Sequence, residues 1–246
     1  MTSFFDSNVP YRPLIDSGHH AQAIDSALTF LDAMRYGCST RYATEHKGTP
    51  FYIMGYAAFA SHDYPSASLY FDAAVEADLK YHAGNHNTAA LRFIQLLQTA
   101  SEPLLAQGII DEIVSSAQTL LTDYGSRALA QPITLDEVRS RFLTKIVVSG
   151  VTTQRSLVTA FLSFVGEWPY RARQIKLVEA GSREPFFLHI LRGCVLFESL
   201  LKAASGTPNS IGQLGKALHH HATALGIKRN KIHTSETDFN NIPASL

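Results

Sequence analysis

Cysteine is scarce in this sequence, and long apolar runs are missing. The two cysteines, Cys38 and Cys194, lie far apart in the 246 residues and cannot build a disulfide framework. Each has apolar or aromatic neighbours, which predicts buried free thiols in a reducing compartment. No basic segment followed by an apolar run opens the sequence, and no stretch approaches the roughly 18 apolar residues that a bilayer span needs. We therefore expect a cytoplasmic protein without a membrane-spanning segment.

The sequence also has no excess of charge of either sign. Its 21 Lys and Arg residues equal its 21 Asp and Glu residues, and 46% of the chain is hydrophobic against 17% charged. This composition is typical of a globular chain of one large or two small domains. Without net charge, attraction to nucleic acid or to a membrane surface would have to come from a local basic patch.

Signatures of metal sites, nucleotide binding and common hydrolases are missing as well. Residues 212–216 end in Gly-Lys as a phosphate-binding loop does, but Ser210 stands where that loop needs its first glycine and Ala217 where it needs Ser or Thr. No Gly-x-Ser-x-Gly or His-Glu-x-x-His motif occurs. His219, His220 and His221 are consecutive, so on a helix their side chains point about 100° apart and cannot converge on one ion. We expect no metal and no cofactor, and we favour a binding protein over an enzyme.

What the sequence does have is helical periodicity along nearly its whole length, with almost no two-residue alternation. It predicts an all-α fold: antiparallel helical hairpins stacked as in a solenoid over residues 18–150, then a C-terminal helical bundle over residues 151–246. The boundary is a soft one, at the Ser-Gly-Val-Thr stretch near residues 149–152. A first helix of about five turns is expected to end near Tyr36. Further helices are expected at residues 51–61, 65–80, 88–99, 103–124, 135–149, 153–166, 169–179, 183–204 and 211–225.

One hairpin carries a recognisable motif. Small residues, Gly55 and Ala67, fit a place where two antiparallel helices cross closely, and large residues fill the gaps beside them. The pattern over residues 48–81 resembles a tetratricopeptide repeat, although Ala58 and Leu79 replace the tyrosine and proline of that family, and no second copy follows 34 residues on. The motif residues are Phe51, Met54, Gly55, Ala67, Phe71 and Ala74.

The resemblance implies a protein that binds a peptide or a helix on a helical-repeat surface, as an interaction scaffold or adaptor. On that basis Phe51, Tyr52 and Tyr56, on the first repeat helix, are candidates for partner binding. Arg171 and Arg173 are further candidates, because they belong to a basic run between residues 171 and 183 that could meet an acidic peptide or phosphate.

A second resemblance lies in the C-terminal third and supports an alternative function. Residues 183–204 and 213–225 resemble the early helices of HEPN-type domains, many of which are metal-independent ribonucleases or toxin partners. The resemblance implies an arginine that stabilises phosphate charge and a histidine that transfers protons. Arg229 and His233 are the candidates, although only three residues separate them. One face of the first helix is apolar: Phe187, Ile190, Leu191, Cys194, Phe197 and Leu201.

Overall fold

The structure is a computed structural model that describes residues 11–82, 87–97, 103–127, 133–148, 152–177 and 182–204. Helix accounts for 87% of the structure and no described residue lies in a strand, which confirms the predicted all-α class. The elements are α1 (Tyr11–Asp16), α2 (His20–Gly37), α3 (Ser39–Thr44), α4 (Gly48–Ala60), α5 (Tyr64–Tyr81), α6 (Ala89–Ile94), α7 (Leu104–Arg127), α8 (Leu135–Val138), a π-helical segment (Arg139–Thr144), α9 (Lys145–Val148), α10 (Thr152–Leu177) and α11 (Glu184–Ala204).

Helix α4 lies at the centre of the fold. Ten of its 13 residues are buried, from Gly48 to Phe59. A helix that is apolar on every side has to be covered on every side. Helix α5 covers one side as the antiparallel partner, and α2, α6 and α7 pack against the others. The hydrophobic core therefore forms around α4.

A tight turn joins α4 to α5 and confirms the hairpin that the sequence predicts. His62 adopts a left-handed conformation, with φ 61°, which reverses the chain direction. The side chain of Asp63 then accepts a hydrogen bond from the backbone N–H of Ser66, at 3.2 Å, and caps α5. Pro65 lies in the first turn of α5, where its missing N–H leaves no helical hydrogen bond unmade.

The two helices of this hairpin cross closely at Gly55. A Cβ atom on Gly55 would lie only 2.6 Å from Cδ1 of Phe71, so the glycine lets the ring pack directly against the α4 backbone. The ring of Phe71 also stacks on Phe93 of α6, with centroids 4.2 Å apart. Ala67 and Ala74 are fully buried on the same face of α5. Any tightly crossed hairpin would use these residue types, so the tetratricopeptide resemblance and the solenoid-like stacking stay predictions.

Another local prediction is confirmed at the start of α8. The hydroxyl of Thr134 accepts a hydrogen bond from the backbone N–H of Glu137, and the Glu137 carboxylate accepts one from the backbone N–H of Thr134. This reciprocal pair is the capping box expected from the sequence. The helix expected at residues 135–149 forms, but six of its residues adopt π-helical geometry.

The sequence prediction of two helices at residues 153–166 and 169–179 is wrong. A single helix, α10, runs from Thr152 to Leu177 with Pro169 inside it. Proline removes one hydrogen bond and crowds the preceding turn, which usually ends a helix. Here the ion pair between Arg171 and Glu167, with Nη2 and Oε1 2.7 Å apart, links the turns on either side of the proline. Packing against α5 and α11 also supports the long helix.

The core extends across the boundary that the sequence suggests near residue 150. Val158, Leu162 and Val165 of α10 belong to the same cluster of buried residues as α4 and α5. Within the described part of the chain, residues on both sides of that position therefore share one hydrophobic core.

A row of polar contacts joins α10 to α5 alongside that core. The Ser163 hydroxyl accepts a hydrogen bond from the Ser68 hydroxyl at 2.5 Å, and the Ser156 hydroxyl donates to Asp72. One turn further along α5, the carboxylate oxygen Oε1 of Glu76 accepts two hydrogen bonds from the Arg155 guanidinium, at 3.1 and 2.7 Å. Burial raises the pKa of Asp72 above its ordinary value, although the hydrogen bond from Ser156 opposes the shift.

No helix among the described residues is both long enough and apolar enough to cross a membrane.

The crossing at Gly55 gives a stability prediction. Gly55→Leu places a branched side chain where the Phe71 ring already lies, and overpacking of a core contact costs about 1–3 kcal/mol. Gly108→Leu is the matched control, because Gly108 is exposed in the second turn of α7 and a Cβ there meets nothing within 4 Å. We expect the control to gain up to about 1 kcal/mol from helix propensity. Chemical denaturation monitored by circular dichroism measures both; equal stability of the two variants would contradict the close crossing.

Candidate functional site

The aromatic residues proposed from sequence for partner binding lie mainly in the core. Tyr52 is 6% exposed and Tyr56 is 2% exposed, and their rings pack edge to face with centroids 5.3 Å apart. Phe51 is half-buried and packs against the same core. Tyr52 and Tyr56 are therefore not available as a surface, because α4 is covered on every side.

The cysteines also differ from expectation. Both Cys38 and Cys194 are exposed, although their apolar neighbours predicted burial. Cys38 lies in the break between α2 and α3, and Cys194 lies on the side of α11 that faces away from α10. Apolar neighbours in sequence did not indicate burial here, because α11 carries apolar residues on an exposed face too.

The two arginine candidates on α10 lie in different surroundings. Arg173 is exposed, whereas Arg171 is partly buried and belongs to a cluster of charged residues between α10 and α11. Arg229 and His233 lie outside the described residues, as do the three consecutive histidines at residues 219–221.

The cluster forms around the buried carboxylate of Glu167. Glu167 and Arg171 are four residues apart on α10, and His189 and Arg192 are three residues apart on α11, so each pair lies on one face of its helix. Gly193 brings the two helices together, because a Cβ atom there would lie 2.7 Å from Cζ of Phe164. The close approach places both pairs around a single carboxylate.

Two arginines hold this carboxylate from both helices. The Arg171 Nε and Nη2 atoms lie 2.8 Å and 2.7 Å from Glu167 Oε1, and Arg192 Nη1 donates to Oε2 at 3.0 Å. Burial alone would raise the pKa of Glu167, but its interactions with His189 and Arg171 outweigh burial, so the pKa is lowered. The carboxylate is therefore charged at neutral pH.

His189 completes the cluster without satisfying its own hydrogen-bonding groups. Its side chain is 1% exposed, and Nδ1 lies 3.3 Å from Glu167 Oε2. Neither ring nitrogen makes a hydrogen bond with a described residue. The ring stacks on Phe164, with centroids 4.3 Å apart, and lies 6.0 Å from the ring of Trp168. Buried polar groups without partners are uncommon in folded proteins, so this histidine marks the site.

A recess of about 290 Å³ opens beside the cluster. His62 lies on its far side, where its ring stacks on Tyr170 with centroids 4.1 Å apart and its Nδ1 lies 3.0 Å from the Tyr64 hydroxyl. Burial, together with the nearby charges of Glu112 and Glu167, raises the pKa of Tyr64, so its hydroxyl keeps its proton. The recess is lined by His62, Tyr64, Glu167, Arg171, His189 and Arg192, among others.

A second pair of ionisable residues joins the loop after α3 to α5. His46 Nε2 and Asp78 Oδ1 are 2.7 Å apart, and Asp78 is buried. A Cβ atom on Gly48 would overlap both side chains, so the glycine makes room for the pair. The Tyr81 and His82 rings lie 5.1 and 5.0 Å from the His46 ring. Because each side chain has the other as its partner, the pair holds the loop after α3 against α5.

The outward side of α11 is a large exposed apolar face. Its inward side packs on α10 through His189, Gly193 and Leu196. On the other sides, side chains as large as Phe187, 66% exposed, and Leu191, 60% exposed, face away from the core. The exposed apolar residues of this face are Phe187, Leu188, Ile190, Leu191, Val195 and Phe197.

Comparison with known proteins gives no match for this chain. The sequence matches no family model, and it matches neither a curated protein nor a solved structure. Within the described ranges, no group of three His, Cys, Asp or Glu side chains is placed to hold a metal ion. Function has to be inferred from the two surfaces of α11.

The lowered pKa of Glu167 gives a prediction on acid stability. A carboxyl whose pKa is lower in the folded than in the unfolded state stabilises the fold above its unfolded pKa, about 4.3, and loses that contribution as the pH falls through the folded value. We expect Glu167→Gln to lose about 1–3 kcal/mol at pH 7, because the substitution leaves Arg171 and Arg192 without the charged partner of their hydrogen bonds. We also expect a weaker dependence of stability on pH between about 5 and 3.

The control for that experiment is Glu112→Gln, which changes an exposed carboxylate on α7. Substitutions at exposed positions usually stay within about 0.5 kcal/mol. Urea unfolding at a series of pH values measures both variants. A Glu167→Gln protein with the acid sensitivity of the wild type would show that the carboxylate is not the group that titrates.

Proposed function

We propose that this chain is a protein-interaction module, and that the outward face of α11 binds an amphipathic helix of a partner protein. The observation that carries the proposal is the exposed apolar face itself, which a folded monomer rarely leaves open to water over so many neighbouring side chains. The proposal keeps the adaptor function inferred from sequence and moves the binding surface from α4 to α11.

The spacing of the exposed side chains supports a helical partner. Phe187, Leu191 and Val195 follow one another at intervals of four residues, and Leu188 and Ile190 are each three residues from a member of that row. Apolar residues spaced by three and four form the ridges and grooves into which another helix packs. A helix in a groove is also one of the recurring ways in which proteins recognise peptides.

The free energies expected from apolar burial and from exposed ion pairs favour an apolar interface over a charged one. Full burial of a Phe, Leu, Ile or Val side chain contributes about 1.5–3 kcal/mol. Exposed ion pairs contribute about 0–1 kcal/mol, and the charges nearest this face, Glu198 and Lys202, already pair with each other at 2.5 Å. Apolar contact therefore supplies most of the binding free energy, and the partner needs no large charge of one sign.

Cys194 makes the proposal directly testable, because its exposed thiol lies on the face in question. A benzophenone coupled to Cys194 in a Cys38→Ser chain should crosslink, in cell extract, to a segment of another protein whose apolar residues recur every three or four positions. The matched control is the same reagent on Cys38 in a Cys194→Ser chain, which should not capture that segment. Mass spectrometry of the crosslinked peptides identifies what lies on the face.

The same crosslinking experiment can contradict the proposal. Crosslinks from Cys194 to residues of the same chain or to a second copy would show that the face has another occupant. Leu191→Ser provides a further check: because Leu191 is exposed, the melting temperature should barely change, and capture of the partner segment should fall. Capture that persists in this variant would exclude α11 as the binding surface.

The alternative, a HEPN-like ribonuclease or toxin–antitoxin component, predicts a different outcome. Its candidates, Arg229 and His233, lie outside the described residues, and the chain has no net positive charge. We expect single-stranded RNA to bind no better than non-specifically, at roughly 10⁻⁴–10⁻⁶ M by analogy with DNA, and to stay intact in metal-free buffer. Labelled RNA is incubated with wild type and with His233→Ala. Cleavage by the wild type alone would make the ribonuclease the better answer.

A further inference from the structure

We propose that the recess between α10 and α11 binds a phosphate monoester group, held by Arg171, Arg192 and His189. The recess is distinct from the outward apolar face of α11, although Leu188, at the edge of that face, also borders it.

Glu167 occupies only part of the hydrogen-bonding capacity of its two arginines. A guanidinium carries five N–H donors. Arg192 gives one of them to Glu167, and Arg171 gives two to Glu167 and one to Gln174. The carboxylate thus fixes both guanidinium groups at the wall of the recess and leaves N–H groups over for an anion. Arginines held in this way are well suited to phosphate because their planar donors match its oxygens.

His189 provides the second observation that points to a ligand. It is a buried side chain that lines the recess; Nδ1 contacts only the Glu167 carboxylate, at 3.3 Å, and Nε2 has no hydrogen-bond partner among the described residues. With Nδ1 turned toward Glu167, Nε2 is left for a ligand atom. A ring nitrogen of histidine can donate a hydrogen bond to a phosphate oxygen or accept one from a protonated phosphate oxygen.

The number of donor groups favours a monoester over other anions. Arg171, Arg192 and His189 are three separate donor groups around one recess. A phosphate monoester presents three terminal oxygens, whereas a phosphodiester or a carboxylate presents two. Glu184 also borders the recess, but it is exposed, so solvent and salt screen its charge. Arg183, which lines the neighbouring recess, has the opposite charge.

The single tryptophan of the chain gives a direct readout. Trp168 lies 6.0 Å from the His189 ring, so occupation of the recess should change its fluorescence. Inorganic phosphate and methyl phosphate are titrated into the full chain at constant ionic strength, with dimethyl phosphate and sodium chloride as comparison solutes. We expect both of the first two to give a saturable change, and dimethyl phosphate to bind at least about tenfold more weakly because it offers fewer oxygens to the donors.

Two variants test the residues. Arg192→Lys keeps the charge beside Glu167 but loses the planar fork, and should weaken binding of methyl phosphate about tenfold or more. His189→Phe keeps the ring stack on Phe164 and removes Nε2, and should weaken binding as well. Arg173→Lys is the matched control, since Arg173 is exposed on the same helix as Arg171 and does not line the recess. Circular dichroism melting of each variant confirms that it is folded.

Each result has a defined meaning. Saturable binding of methyl phosphate that Arg192→Lys weakens and Arg173→Lys leaves unchanged supports the proposal. Binding of inorganic phosphate alone would show that the site takes free phosphate and would overturn the monoester assignment. The proposal is also overturned if dimethyl phosphate binds equally well, if sodium chloride produces the same signal, or if the Arg192 and Arg173 variants behave alike.

Discussion

The burial of α4 on every side is the constraint on which the rest of the structure depends. Because nearly all of its surface is apolar, its neighbours must approach closely, and Gly55 permits one such approach by letting the Phe71 ring rest on the helix backbone. Phe71 in turn stacks on Phe93, so the same contact positions α6. A core built on such direct contacts tolerates little added volume, which is why small residues recur at these crossings.

Helix α10 then extends this core to α11 by a different means. Toward α5 it adds serine and carboxylate contacts and the Arg155–Glu76 pair beside the apolar cluster, and toward α11 it uses the carboxylate of Glu167. Partly buried ion pairs of this kind contribute little net stability, because desolvation offsets much of the attraction. They do restrict which residues can face each other, so they define how the helices are aligned along their lengths.

The features that sequence predicted correctly are local. The α4–α5 hairpin and the Thr134–Glu137 capping box depend on residues only a few positions apart, and their geometry leaves few alternatives. The tetratricopeptide resemblance placed Tyr52 and Tyr56 on a surface, and the sequence of a helix that is apolar all round does not reveal which of its sides are covered. The charged cluster was missed because Glu167 and Arg192 are 25 residues apart, although the four-residue spacing of Glu167 and Arg171 was a usable signal.

Helix α11 has two sides that carry different types of residue. Its inward side carries His189, Arg192 and Gly193, which are polar or small because α10 approaches closely and supplies a carboxylate. Its outward side carries large apolar residues that contribute nothing to that contact. Packing against α10 alone would favour polar residues outward, since exposed apolar side chains of this size promote association. A second contact, as proposed for the outward face, would explain their presence, and the inward cluster links α11 to α10 independently of it.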